Sequence, residues 1–100
     1  MQLRVKKIPW YTSWIGLIGQ KSQAICFTTR FGIHTFGMQY PIDVVILDGN
    51  NVVRKIKENL QPNRFFFWNP KYNVVLELPQ EEIKKRKIKT GTELKVEKVL

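Results

Sequence analysis

The sequence has a single cysteine and only eight acidic residues in 100, and it has no long apolar run. One cysteine, Cys26, cannot form an internal disulfide and excludes a cysteine-rich metal site. No segment approaches the roughly 20 consecutive apolar residues that a membrane-spanning helix needs. The opening MQLRVKKIPW also lacks the apolar stretch of a secretory signal, so we expect a cytoplasmic protein.

What the sequence has in excess is positive charge. Seventeen lysines and arginines against eight acidic residues give a formal net charge of +9 at pH 7. The hydrophobic content of 43% is ordinary for a folded domain, and 100 residues suffice for one core but not for two. We therefore expect a single domain over residues 1–100 that attracts anionic partners.

Residues 33–48, IHTFGMQYPIDVVILD, combine the strongest strand signal with unexpected polar residues. Both alternating faces of residues 42–47 are apolar apart from Asp43, which is typical of a strand that is covered on both sides. Pro41 interrupts the ladder, so the stretch predicts two extended segments that meet at a kink at residues 39–41. The Asp-Gly-Asn-Asn sequence that follows predicts a hairpin turn.

The rest of the chain predicts short strands and one helix. Alternating apolar residues predict further strands at residues 3–8, 24–28, 52–56, 72–78 and 94–97. A short helical turn is expected at residues 12–18, followed by a polar loop at 20–23, and residues 58–70 are expected to be loop. Pro79, the glutamates that follow it and then a run of cations predict a helix over residues 79–87.

These elements favour a mainly β fold. Several short strands separated by turns predict a small β-sandwich or a partly open barrel, with one short helix in the C-terminal half. The aromatic run at residues 65–68 cannot be wholly buried on one strand face, so at least one of its rings is expected at the surface.

Three motifs carry a resemblance to a known family. Residues 29–48 contain His-Thr-Phe-Gly-Met and a Pro-Ile-Asp-Val run ending in Leu-Asp; residues 74–79 read VVLELP and residues 89–94 read KTGTEL. Over roughly residues 10–98 the chain resembles the DUF192 family of small, uncharacterised bacterial and archaeal domains. The resemblance implies a jelly-roll-like β-sandwich with a short helix near the C-terminus.

The resemblance also implies that His34, Asp43 and Glu77 are polar motif residues. The leading hypothesis is a non-enzymatic binding domain that holds a polar small molecule, a peptide or a glycan in a cleft near His34 and Asp43. In this hypothesis Arg30 is a bidentate donor, Asp43 and Glu77 accept hydrogen bonds, and Trp68 or Phe66 supplies an apolar wall. No catalytic residue, metal ligand or cofactor is assigned.

One alternative is nucleic-acid or polyanion binding through a basic helix over residues 79–89. Exposed cations would hold phosphates, and the aromatic residues 65–68 would stack on bases. The cations in question are Lys84, Lys85, Arg86, Lys87 and Lys89. The same cations could instead be a solvated helix end that complements the helix dipole.

A third possibility is a hydrolase in which Asp43 orients His34 for proton transfer. Without a nucleophile or an oxyanion hole, a satisfied structural contact is the better interpretation of this pair. Cys26 as a nucleophile is disfavoured because it lies in an apolar strand. A metal site on His34, Asp43 and Glu77 is disfavoured because the chain has only one histidine. We therefore lean towards a protein that is not an enzyme.

Overall fold

The computed structural model describes residues 2–7 and 24–99, and these residues form eight strands and one short helix. The strands are β1 (Gln2–Lys7), β2 (Ile25–Thr28), β3 (Ile33–His34), β4 (Ile42–Leu47), β5 (Val53–Leu60), β6 (Phe65–Phe66), β7 (Val74–Pro79) and β8 (Lys95–Val99). The helix, α1, spans Glu82–Lys85. Within the described ranges no helix has the length and hydrophobicity to cross a membrane. The helical turn and loop predicted for residues 12–18 and 20–23 lie outside the described residues.

Six of the strands form one sheet in the order β5, β4, β7, β2, β1, β8, and β3 pairs with β6 in a second, small sheet. β4 runs antiparallel between β5 and β7, and all six of its residues are buried. β1 is parallel to both β2 and β8. Val52, just before β5, and Glu93, just before β8, form an isolated antiparallel bridge between the starts of the two edge strands, and the sheet stays open. The prediction of a mainly β sandwich or partly open barrel with one short helix is confirmed.

The two faces of the large sheet bury two separate hydrophobic clusters. Side chains alternate along β4. Ile42, Val44 and Ile46 face the first cluster, and Asp43, Val45 and Leu47 face the second. The small sheet covers the first cluster through Ile33 and Phe66. The helix covers the second cluster through Ile83. The small sheet and α1 therefore lie on opposite sides of the large sheet.

Two local predictions around β4 are confirmed. The chain bends at residues 39–40 within the predicted kink, but it already turns at Phe36 and Gly37, so the first extended segment is only β3, and β3 and β4 belong to different sheets. The predicted hairpin joins β4 to β5, and Asp48 Oδ1 stabilises its turn by accepting hydrogen bonds from the N–H groups of Asn50 at 2.8 Å and Val52 at 3.0 Å. Asn51 adopts a positive φ of 61° in this turn, a conformation that asparagine tolerates well.

Two predicted boundaries are wrong. The helix expected over residues 79–87 is only α1, because Pro79 still belongs to β7 and Glu81 has a left-handed backbone with φ 74°. The strand expected to stop at Ile56 continues through the predicted loop as far as Leu60. A bulge at Asn59, where φ is 56°, returns Leu60 to the buried face and so extends the pairing with β4. The same predicted loop also contains β6.

Candidate functional site

Asp43, the polar residue of the central strand, is 1% exposed and binds two backbone groups. Its Oδ1 accepts a hydrogen bond from the N–H of Asn59 at 2.9 Å, and its Oδ2 accepts one from the N–H of Ile83 at 3.0 Å. Ile83 is the second residue of α1, so the carboxylate satisfies an N–H group that has no partner within the helix. Asp43 therefore fastens both the β5 bulge and α1 to β4.

The other predicted ligand-binding residues are dispersed. His34 is exposed on the small sheet, and its Nδ1 accepts a hydrogen bond from the N–H of Phe36 at 3.3 Å. Arg30 is exposed in the turn that precedes β3. Trp68 is buried, and its indole N–H donates to the carbonyl oxygen of Tyr72 at 2.7 Å, so this ring is part of the core.

The acid–base pair and the metal site considered from the sequence are not assembled either. Asp43 faces α1 and His34 lies on the small sheet, so the large sheet separates them. Glu77 faces the first cluster, across the sheet from Asp43. Among residues 2–7 and 24–99, no three His, Cys, Asp or Glu side chains are grouped to hold a metal ion. Cys26 is buried in the second cluster.

Glu77 is a second buried carboxyl group, 2% exposed, in a very different environment from that of Asp43. Glu77 lies on β7 between Ile25 of β2 and Val44 of β4, and both of these neighbours belong to the first hydrophobic cluster. Its Oε1 is buried with no hydrogen-bond partner among the described residues. Burial away from water raises the pKa of Glu77 to about 8, so the group is mostly protonated at neutral pH.

A cleft of about 320 Å³ lies beside Asp43 and has an acidic lining. The cleft is formed with Glu58, Asn59, Gln80, Glu81 and Lys84. The Asp43 oxygens already accept backbone hydrogen bonds, so a ligand would meet two further carboxylates, one ammonium group and two amides. The volume is at the lower end of the roughly 300–1,000 Å³ usual for small-molecule sites, and this lining lacks the apolar walls that such sites usually have.

A row of aromatic rings crosses the outer side of the small sheet. We call it the aromatic face, and it consists of His34, Phe36, Phe65 and Phe67. Ring centroids are 5.3 Å apart from His34 to Phe36, 5.0 Å from Phe36 to Phe65 and 5.8 Å from Phe65 to Phe67. Phe36 is 41% exposed, Phe65 61% and Phe67 60%. Adjoining exposed rings of this kind mark binding surfaces more often than isolated exposed apolar residues do.

Strand alternation builds the aromatic face from residues 65–68. The Phe66 and Trp68 rings pack in the first cluster, so the Phe65 and Phe67 rings remain on the solvent side. Gly32 makes room for Phe67, because a Cβ atom on Gly32 would lie 2.5 Å from Cδ1 of that ring. Gly32 also has a φ of +86°, which side chains disfavour. The glycine thus lets Phe67 lie directly against the backbone that leads into β3.

Three cations border the aromatic face. Lys55 donates from Nζ to the carbonyl oxygen of Phe67 at 3.0 Å and lies 5.1 Å from the centroid of the Phe66 ring. Lys57 is exposed on the same side of β5, as its pairing with β4 requires. Arg64, exposed just before β6, lines a cleft together with Lys57. The rings and these cations therefore form one surface.

The basic segment predicted to bind nucleic acid lies elsewhere. Its cations, Lys84, Lys85, Arg86, Lys87 and Lys89, are all exposed. Nε of Arg86 forms an ion pair with Glu82 at 2.6 Å. Ile83 and Ile88 anchor the segment in the second cluster, whereas the aromatic face covers the first. These cations and the aromatic rings are therefore on opposite sides of the large sheet.

Sequence reasoning missed Phe36 as a candidate site residue, and it grouped the aromatic residues 65–68 with the basic segment at residues 84–89, which lies on the other side of the large sheet. The expectation that at least one ring of residues 65–68 is exposed is confirmed, since two are. The available signal was the alternation of the run itself, which places every second ring outward once the run is assigned to a strand. Assigning residues 58–70 to a loop removed that signal.

The fold defines a small, mainly β domain built on one mixed six-stranded sheet. The family model DUF192, described as "Uncharacterized ACR", matches residues 15–96. The chain therefore belongs to the DUF192 family. Comparison with curated proteins gives no significant match.

Two crystal structures are similar to this chain. One is of a protein from Sinorhizobium meliloti, provisionally described as a transcription regulator, with a TM-score of 0.68 and 17% identity over 87% of this chain and 76% of that chain. The other is of a protein of unknown function from Novosphingobium aromaticivorans, with a TM-score of 0.69 and 16% identity over 90% of this chain and 69% of that chain. At these identities the likeness concerns the fold alone.

Removal of the Asp43 carboxylate is expected to destabilise the domain. In Asp43→Ala the N–H groups of Asn59 and Ile83 lose their acceptor, and each unsatisfied group costs about 1–3 kcal/mol. Urea unfolding followed by circular dichroism should show a loss of roughly 2–6 kcal/mol in the free energy of unfolding. Glu58→Ala removes an exposed carboxylate from the same cleft and should change it by less than about 0.5 kcal/mol. Equally small losses in both variants would contradict the role of Asp43.

The stability of the domain should fall as the pH rises from about 4.5 to about 8 because of Glu77. In this window the folded state keeps the Glu77 proton that the unfolded chain releases, so protons favour folding. The loss in unfolding free energy is at most roughly 5 kcal/mol, since one pKa unit corresponds to about 1.4 kcal/mol. Glu77→Gln keeps the shape of the neutral side chain and cannot ionise, so it should remove this part of the pH dependence. Urea unfolding of both proteins from pH 5 to 9 makes the comparison, and parallel profiles would exclude the effect.

Proposed function

We propose that this DUF192 domain is a non-enzymatic binding domain that holds single-stranded nucleic acid on the aromatic face. The observation that carries the proposal is the row of adjoining, exposed rings from His34 to Phe67. We take residues 1–100 as one domain, and from the sequence we expect it to be cytoplasmic.

Base stacking supports a single-stranded ligand. Every base has a flat π face, and proteins that bind single strands without strong sequence preference place aromatic side chains where successive bases can stack. Phe65 and Phe67 offer parallel surfaces, since their rings are inclined by only 14°. In a duplex the faces of the bases are already stacked on their neighbours, so these rings would have little to contact. The geometry therefore favours an unpaired strand over a double helix.

The charges support a ligand with a phosphate backbone. Lys55, Lys57 and Arg64 border the rings, and the protein carries a formal net charge of +9. Cations that track the backbone beside aromatic platforms are the usual arrangement of single-strand binding surfaces. A neutral glycan could also lie on the rings, but it would gain nothing from the neighbouring cations. Salt dependence therefore separates the two ligands.

The hypothesis of a polar ligand near His34 and Asp43 receives less support. Arg30, Glu77 and Trp68 do not join these two residues in one cleft, and the Asp43 oxygens are engaged by backbone N–H groups. The cleft beside Asp43 has an acidic lining, which disfavours anionic ligands. The basic segment at residues 84–89 adds to the general attraction for polyanions, but among residues 2–7 and 24–99 the row of exposed rings lies on the other side of the large sheet.

The proposal predicts that a labelled single strand of about 12 nucleotides binds more tightly than the same sequence as a duplex. Phe67→Ala should weaken binding of the single strand about 5- to 150-fold, because a stacked base is worth about 1–3 kcal/mol. Phe67→Tyr should bind like the original protein, whereas Phe67→Leu, which keeps an apolar side chain without a ring, should be weakened. Fluorescence anisotropy measures the affinities, and circular dichroism verifies that each variant is folded.

A charge control separates the site from general attraction. Lys85→Gln combined with Lys89→Gln removes two cations from the side of the sheet opposite the aromatic face, and it should leave the sensitivity to Phe67 unchanged. Equal affinity for single strand and duplex, or equal affinity of Phe67→Ala and the original protein, would overturn the proposal. Sedimentation without oligonucleotide tests whether the rings instead join two copies of this chain. Self-association that is lost in Phe67→Ala, without oligonucleotide binding, would also overturn it.

A further inference from the structure

A second cleft, of about 190 Å³, opens beside the aromatic face at Phe65. It is lined by Lys57, Asn59, Leu60, Gln61, Arg64 and Phe65. Phe65 belongs both to the row of rings and to this cleft, so the two are continuous. The volume is below the roughly 300–1,000 Å³ of sites that enclose a whole drug-sized ligand. It suits a part of a larger ligand, such as one unit of a polymer that continues along the rings.

We propose that this cleft holds one nucleotide of the bound strand, with the base against Phe65 and the phosphate between Lys57 and Arg64. The inference rests on the proposed function and adds to it a defined position for one residue of the nucleic acid. That position would fix the register of the strand on the aromatic face.

The chemistry of the lining matches the three parts of a nucleotide. Phe65 is 61% exposed and offers a ring for stacking. Lys57 and Arg64 are exposed cations, and arginine in particular can donate two hydrogen bonds to one phosphate. The side-chain amide of Gln61 can donate to and accept from the edge of a base, and the Asn59 amide nitrogen can donate to it. Among the residues that the structure describes, no carboxylate lines this cleft.

The contrast with the cleft beside Asp43 strengthens the assignment. Asn59 lines both clefts. The cleft beside Asp43 has three acidic residues, with Glu58 and Glu81 next to Asp43, and only one cation, Lys84. An anionic ligand is therefore attracted to one cleft and repelled by the other. The Asn59 side chain is held in place between them, because its Oδ1 accepts a hydrogen bond from Nε2 of Gln80 at 3.0 Å.

The loop that carries Gln61 and Arg64 is fixed before any ligand arrives. Thr35, which is 1% exposed, donates from Oγ1 to the carbonyl oxygen of Gln61 at 2.7 Å and accepts at Oγ1 from the N–H of Arg64 at 2.9 Å. Its backbone N–H donates to the carbonyl oxygen of Arg64 at 2.9 Å, and its carbonyl oxygen accepts from the N–H of Asn63 at 3.1 Å. A loop held in this way loses little conformational entropy on binding, which favours affinity.

The test uses the isotope-labelled full chain and three probes: adenosine monophosphate, adenosine and inorganic phosphate. The monophosphate should shift the NMR signals of the Gln61 side-chain amide and the Arg64 Nε–H. Adenosine and phosphate should each bind more weakly, because each satisfies only one half of the cleft. Lys57→Gln combined with Arg64→Gln should weaken the monophosphate about tenfold or more, since hydrogen bonds to charged groups are individually strong.

The same double variant is then measured with the single-stranded oligonucleotide. Two lost phosphate contacts should reduce the slope of log affinity against log salt by about 1.4, since each contact on a single strand contributes about 0.7. The matched control is Lys85→Gln combined with Lys89→Gln, which removes the same charge from residues outside the cleft. The control should leave the monophosphate shifts unchanged and should reduce the slope by less.

The outcomes distinguish this inference from the proposed function. If the oligonucleotide binds and depends on Phe67, but the two double variants behave alike and the monophosphate leaves Gln61 and Arg64 unshifted, only the nucleotide cleft is overturned. If the monophosphate binds in the cleft but no oligonucleotide binds, the aromatic platform is overturned and the cleft is a mononucleotide site. If neither ligand binds, both proposals are overturned. If inorganic phosphate binds as tightly as the monophosphate, the cleft is only an anion site. That result would overturn the contact proposed between the base and Phe65.

Discussion

The Asp43 carboxylate is the contact on which the arrangement of the domain depends. It lies in the most deeply buried strand, and each of its oxygens accepts a backbone N–H from a different element, one from the β5 bulge and one from α1. An amide side chain in its place would offer only one acceptor oxygen for the two donors. The helix has only four residues, which is far too short to be stable alone in water. It persists because Asp43 receives its N-terminus and Ile83 packs beneath it.

Two buried carboxyl groups on neighbouring strands have very different surroundings. Asp43 on β4 accepts hydrogen bonds from two backbone N–H groups, one on each oxygen. Glu77 on β7 faces Ile25 and Val44 and finds no donor for Oε1 among the described residues. Desolvation therefore dominates at Glu77, and protonation removes the charge that burial disfavours. The difference follows from the side of the large sheet that each residue faces, since Asp43 faces α1 and Glu77 faces the first cluster.

Local patterns predicted the parts of the fold that depend on local physics. A run that is apolar on both faces identified β4, Pro41 gave the kink before it, and the Asp-Gly-Asn-Asn turn gave the hairpin to β5. The parallel pairing of β1 with β2 and β8 joins distant segments, which no local pattern specifies. β6 was missed because a strand of two residues is too short to show a period.

The candidate site was harder to predict than the fold for a related reason. His34 and Asp43 are nine positions apart in the sequence, and nearness along the chain suggested a common cleft. The kink between β3 and β4 instead sends the two residues to opposite sides of the large sheet. The aromatic face depends equally on layering, since Phe36 and Phe65 meet only because β3 pairs with β6. Which residues share a surface follows from strand pairing, and pairing is a property of the whole chain.

The neutral state of Glu77 changes the electrostatic character of the whole molecule. The formal charge of +9 counts all eight acidic residues as ionised. With Glu77 protonated, seventeen cations face only seven carboxylates, so the folded protein carries close to +10 at neutral pH. Unfolding releases that proton, so the unfolded chain is less cationic than the folded one. On a cation-exchange column at neutral pH, the native protein would therefore behave as a slightly stronger cation than its amino-acid composition indicates.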